Sequence, residues 1–217
     1  MQDLDLVSLV CSRLCHDLVS PVGAFTNGVE LLQDEDDPEM RKQAFDLLGH
    51  SAELAARRLK FFRLAFGAAG GEAVPIRLRD ARSATADFLA DTRVELDWPD
   101  NAAGDDLAVG KTGAKLLLNL ALLAAEAMPR GGTLAVDLAP GGRGTLATVS
   151  AAGRGAHLSD AAMVALLRAE IAPDLQPKAA PALLAARLAQ ACESTVRYTP
   201  GEDSFVLAAE LPEPKSR

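Results

Sequence analysis

Between Val7 and Leu32, the side chains of Val7, Cys11, Leu14, Leu18, Val22, Phe25, Val29 and Leu32 recur at steps of three and four. Plotted at about 100° per residue, they fall within roughly 80° of one another, which predicts one long amphipathic helix. The acidic run Asp34-Glu35-Asp36-Asp37 then breaks the pattern. Pro38 suits the first turn of a second helix, where its missing N–H costs nothing. That helix extends over roughly 39–66 and carries two adjoining apolar stripes. One holds Met40, Leu47, Leu54, Phe61 and Ala65; the other holds Leu48, Ala55, Leu59, Phe62 and Phe66. A hairpin of two such helices has more apolar surface than it can hide alone. Pairing two hairpins into a four-helix bundle hides it, so the periodicity predicts a dimer.

After Gly67-Ala-Ala-Gly-Gly71, which reads as a linker, the texture changes. Short runs rich in Val, Ile, Leu and Thr predict strands near 74–78, 93–98, 133–138, 146–150, 195–199 and 205–211. Alanine-rich segments predict helices near 79–91, 108–128, 160–169 and 182–192. Elements mixed in this order suggest an α/β sandwich with helices over one sheet face. The expected organisation is a helical domain over 1–66, a linker over 67–71 and an α/β domain over 72–217.

The 217 residues carry 22 basic and 30 acidic side chains, a net charge of −8, which argues against a general nucleic-acid or anionic-lipid partner. Aromatics are 4% and 41 residues are Ala, so the core must be built from small aliphatics. The most apolar run, 116–125, is interrupted by Asn119 and is far short of the roughly 20 residues of a membrane span. The start, Met-Gln-Asp-Leu-Asp, is acidic where a signal peptide is basic, and the three cysteines form no CxxC pair. The expected compartment is the cytoplasm.

One side chain stands apart. On the helical plot His16 lies about 160° from the centre of the apolar stripe, and therefore points to solvent at mid-helix. Leu9, Ser12, Arg13, Ser20, Gly23 and Asn27 share its face. Small neighbours let a partner approach the imidazole closely, and an apolar Leu9 offers it a foothold, so Leu9, Ser12, Arg13, Gly23 and Asn27 are candidate partner-binding residues. His50 and His157 lack such a setting and read as surface histidines. Cys11 and Cys15, four residues apart beside His16, lack a fourth ligand for zinc, and no metal site is expected.

The segment Cys15-His16-Asp17-Leu18-Val19-Ser20-Pro21 resembles the phospho-accepting box of sensor histidine kinases: a histidine, an acid beside it, a hydroxyl four residues on, then proline. The resemblance covers the whole hairpin, since that family's dimerisation and phosphotransfer domain is such a pair of helices. It implies that His16 is the phosphorylated residue, that Asp17 orients its ring, and that Ser20 lines the approach of the partner's chemistry. An imidazole suits this work because one nitrogen can attack phosphorus while the other stays protonated.

The second half resembles the kinase ATP-binding domain in outline. Leu117-Leu118-Asn119-Leu120, followed by Met128-Pro129-Arg130-Gly131-Gly132-Thr133-Leu134, resembles the helix with the Asn box, with Pro-x-Gly-Gly before a strand. The nucleotide chemistry is missing from it. The Mg²⁺-ligating Asn is replaced by Leu123 and the expected Lys by Glu126. The adenine-binding Asp of Asp-x-Gly-x-Gly is Ala151, and the segment from Lys178 to Leu184 has no glycine to form a phosphate loop.

An intact phospho-accepting box joined to degraded nucleotide boxes resembles the ChpT family of histidine phosphotransferases over essentially the full chain. The resemblance implies a homodimeric phosphorelay protein that binds no cofactor itself. His16 would take a phosphoryl group from the receiver Asp of a CckA-like hybrid kinase and pass it to CtrA-like and CpdR-like response regulators in cell-cycle control. Mg²⁺ would come from the receiver. The alternatives are an ATP-dependent histidine kinase core and a non-catalytic dimeric adaptor. On the relay reading, radiolabelled ATP with Mg²⁺ alone should place no label on the protein; label on His16 would select the kinase.

Overall fold

The computed structural model describes residues 2–34, 36–67, 76–99, 108–170 and 176–213. Two long helices come first, α1 (Gln2–Asp34) and α2 (Pro38–Ala65). The α2 start follows from local chemistry: the Asp37 carboxylate accepts the Glu39 N–H at 2.8 Å, and Pro38 occupies the first turn. Arg41 donates to the Leu32 carbonyl at 2.8 Å and closes the turn from the other side. Where the helices approach, Gly28 is buried, and a Cβ there would lie 2.9 Å from the Leu48 side chain.

The second part contains β1 (Ile76–Arg77), α3 (Leu78–Leu89), β2 (Val94–Asp97), β3 (Ala108–Val109), α4 (Lys111–Glu126), β4 (Gly132–Pro140) and β5 (Gly144–Ala152). After these come α5 (Asp160–Arg168), α6 (Ala180–Ala191), β6 (Arg197–Gly201) and β7 (Ser204–Pro212). The main sheet has the order β2-β4-β5-β7-β6, with β2 parallel to β4 and the other neighbours antiparallel. Helix α4 is the hub: from Gly113 to Ala125 every side chain except Lys115 is buried. Leu116, Leu117 and Leu120 of α4 share one core with Leu134, Val149, Phe205, Leu207 and Leu211 of the sheet and Leu183 of α6.

The turn from α4 into β4 explains the Pro-x-Gly-Gly sequence. Gly131 has φ +89° and Gly132 φ +151°, and a Cβ on either would lie 2.4 Å from a backbone oxygen, of Arg93 or Ala152 respectively. Only glycine fits there.

Three expectations need correction. The helix expected from 108 begins at Lys111, because Ala108–Val109 pairs antiparallel with Ile76–Arg77 and Gly110 in extended conformation starts the helix after it. Of the strand expected at 74–78, Ile76–Arg77 is strand and Leu78 already begins α3, while 74–75 and 68–71 of the expected linker lie outside the described residues. The third concerns packing. Both α2 stripes were expected to face a bundle, yet Phe61, Phe62 and Ala65 are buried with Ala81 and Ala84 of α3 and Leu118 and Leu122 of α4. Phe61 and Phe88 have ring centroids 4.5 Å apart, and Phe62 stacks on Phe66 at 5.3 Å. The scarce aromatics are thus concentrated where the hairpin meets the second domain.

Asn119 strengthens the same junction. Its buried amide donates to the Ala65 carbonyl at 3.1 Å and to the Lys115 carbonyl at 2.8 Å. Other positions of the stripes stay open on the single chain: Val7, Cys11, Val22, Phe25, Val29, Met40 and Leu59 are exposed. No helix among the described residues is long and apolar enough to cross a membrane. Phe61→Ala should lower unfolding free energy in urea by about 3–5 kcal/mol, the range for truncating a fully buried aromatic.

Candidate functional site

His16 stands at the middle of α1 with its side chain 82% exposed and Nδ1 3.0 Å from Asp17 Oδ1. A carboxylate paired with arginine accepts, so the proton of this hydrogen bond belongs to Nδ1, and in the neutral imidazole the lone pair is on Nε2. The exposed ring is therefore held by one nitrogen and offers the other as a nucleophile.

Asp17 is itself held from two directions. Arg13, one turn earlier on α1, donates Nε to Asp17 Oδ2 at 2.9 Å. The same guanidinium donates to both carboxylate oxygens of Glu126 at the end of α4, and to the Lys178 carbonyl at 3.3 Å. Arg13 is only 4% exposed. Burial pushes its guanidinium down, but hydrogen bonds and charge from Glu126, with Asp17 adding to them, more than offset this and hold it above its ordinary value.

The backbone of Asp17 has its own partner. Proline at 21 has no N–H, so the carbonyl four residues earlier loses its helical hydrogen bond. That carbonyl belongs to Asp17, and Arg58 of α2 donates to it. α1 runs unbroken through buried Pro21 because the second helix of the hairpin supplies the missing donor.

A groove of about 660 Å³ opens beside this cluster, bounded by His16, Asp17, Arg58, Arg93, Glu126 and Lys178 among others. A second cavity of about 460 Å³ lies in the α/β domain, with Leu123, Ala127, Leu158, Ala161 and Ala162 forming an apolar wall. Ala151 is buried on β5, and Pro177–Ala179 form one 3₁₀ turn ahead of α6. No three His, Cys, Asp or Glu side chains among the described residues are grouped to hold a metal ion. Cys11 and Cys15 are exposed, whereas burial pushes the Cys192 thiol up to about 11.

Ser12, Ser20, Gly23 and Asn27 are exposed along the helix that carries His16. Two expected docking residues are not. Leu9 is half-buried and packs on the core of the second domain, and Arg13 is locked in its ion pairs. Both face the α/β domain, because α6 and the 3₁₀ turn before it cover that side of α1. His50 and His157 are exposed, and His157 Nδ1 lies 2.8 Å from the Gly155 carbonyl. Glu126 and Arg58 were not foreseen as site residues. Glu126 was visible only as an acid where a kinase has lysine, and Arg58 carries no motif.

The site is thus an exposed histidine steadied by an adjacent carboxylate, on a two-helix hairpin fused to an α/β sandwich. Residues 78–204 match the family model described as the histidine phosphotransferase C-terminal domain, and the chain belongs to that family. The chain is 44% identical over 135 residues to the protein phosphotransferase ChpT of Brucella abortus (strain 2308), a match spanning 62% of this chain and 61% of that relative. A solved structure described as a bacterial phosphotransferase superposes with a TM-score of 0.81 at 32% identity, covering 95% of this chain and 96% of that one.

The Pro21–Arg58 relation predicts a coupled pair. Arg58→Met should cost about 1–3 kcal/mol in urea unfolding, since it leaves a carbonyl without its donor. In a Pro21→Ala background, where the helical N–H is restored, the same substitution should cost clearly less.

Proposed function

We propose that this chain is a histidine phosphotransferase of a multistep phosphorelay in the cytoplasm. It takes a phosphoryl group from a receiver aspartate onto His16 Nε2 and passes it to the aspartate of a second receiver. The observation that carries this reading is the exposed imidazole with Nδ1 on Asp17 and a groove beside it.

In the first transfer, the Nε2 lone pair attacks phosphorus in line. The bond from phosphorus to the donor carboxylate breaks, and that carboxylate leaves with the electron pair. The ring gains positive charge, and Asp17 Oδ1, accepting the Nδ1–H, stabilises it. In the second transfer an acceptor carboxylate attacks phosphorus, and the pair of the broken P–N bond returns to Nε2. Exposed Ser12, Ser20, Gly23 and Asn27 leave room for the receiver's acidic pocket, which brings the Mg²⁺ that neutralises the phosphoryl oxygens. Among the described residues the nucleotide ligands of a kinase are not reproduced: the Leu123 and Ala151 side chains cannot ligate Mg²⁺ or adenine, and Glu126 is committed to Arg13. The donor is a CckA-like hybrid kinase receiver, and the acceptors are CtrA-like and CpdR-like regulators of the cell cycle.

The protein works as a homodimer. Val7, Val22, Phe25, Val29, Met40 and Phe45 remain exposed on the hairpin, and exposed large apolar side chains grouped on one element mark an interaction surface. Two hairpins pairing through it make the four-helix bundle.

Incubation with a phosphorylated receiver domain should label the wild-type protein and leave His16→Ala unlabelled; label on the variant would overturn the reading. Val22→Asp with Phe25→Asp should move the protein to monomer mass in light scattering, with a folded second domain.

A further inference from the structure

We infer that Glu126, on the α/β domain, is a positioning residue for His16 and acts through Arg13 and Asp17; this rests on the reading of His16 as the phospho-acceptor. The chain of contacts is continuous. Glu126 accepts two hydrogen bonds from the Arg13 guanidinium, Arg13 donates to Asp17 Oδ2, and Asp17 Oδ1 holds His16 Nδ1. Each carboxylate oxygen of Asp17 thus has one assigned neighbour.

The division of labour depends on Glu126. A guanidinium has five N–H donors and, when buried, must place them. With Glu126 engaging both of its terminal nitrogens, Arg13 presents Nε and NH2 to a single oxygen of Asp17, at 2.9 and 2.8 Å. Without Glu126, only the Lys178 carbonyl would remain for that edge. Arg13 would then turn its fork onto both oxygens of Asp17, which is the preferred bidentate geometry, and draw Oδ1 away from the imidazole. His16 would lose the acceptor that keeps the proton on Nδ1, and Nε2 would be protonated in a larger fraction of molecules. Arg58 and Lys178 line the same groove, but the side-chain carboxylate of Asp17 is bonded to neither of them among the described contacts.

The test combines a transfer rate with a spectroscopic signature. In protein labelled with ¹⁵N-histidine, with the His16 signals identified by their loss in His16→Ala, wild type should show the Nδ1–H tautomer. Glu126→Gln should shift His16 toward the Nε2–H tautomer and slow acceptance from a phosphorylated receiver roughly tenfold or more, the scale of a small misplacement of reacting atoms. Should Glu126→Gln fail to fold, Glu126→Asp keeps a charge for Arg13 but is too short to engage both of its terminal nitrogens, and should shift the tautomer and slow the transfer in the same direction. A folded variant of either kind with wild-type tautomer and wild-type rate overturns the inference. So does a wild-type protein with its proton on Nε2. Persistent label on His16→Ala would sink the phospho-acceptor reading as well. Label lost there, with unaltered Glu126 variants, sinks only the positioning role.

Discussion

Burial of Phe61, Phe62 and Ala65 against α3 and α4 holds the two parts of this protein together. Each fully buried phenylalanine contributes about 1.5–3 kcal/mol, and four of the seven phenylalanines of the chain meet at this junction. Because α2 is anchored at its C-terminal end, the position of α1 relative to α4 is set. Arg13 then comes to lie over Glu126, and the α/β domain reaches the histidine helix with a charged side chain. The exposed site is thus held from behind by an apolar seam, of which Phe88 reaches the wall of the groove beside His16.

The charges at this seam have a further consequence. A buried ion pair adds little net stability against an apolar replacement, but it demands one geometry. Arg13 between Asp17 and Glu126 tolerates little displacement of the domains, because each donor already has its acceptor. The acid at position 126, which departs from the kinase pattern, is here a structural partner of the helix that carries His16. Arg58 meets a need created within the same turn, since Pro21 withholds the donor that the Asp17 carbonyl requires. Two arginines from different helices therefore hold one residue, by its side chain and by its backbone.

Much of this was legible in the sequence. The three-and-four spacing ran from Val7 to Leu32 inside α1 and marked α2 to within a residue of its ends, and the strands of the main sheet fell where β-branched runs lay. Exposure of His16 followed from its angle on the helix. The assignment of Leu9 and Arg13 to the same open face failed for a physical reason: an angular plot locates a side chain on its own helix but does not say which distant segment covers that side. Here α6 and the turn before it do so. Likewise the stripes of α2 showed apolar surface without showing its partner.

The sequence by itself determined local matters: helix periods, the Asp37-Pro38 start, glycines that admit positive φ, and a histidine opposite an apolar stripe. These depend on neighbours within a few residues, and short-range sterics and hydrogen bonding decide them. Only the tertiary structure decided that Glu126 meets Arg13 across 113 positions, that Arg58 reaches the Asp17 carbonyl across 41, and that the phenylalanines of α2 face the second domain. Contacts of that range are set by how all the apolar faces are buried together, and no single segment encodes its part in that arrangement.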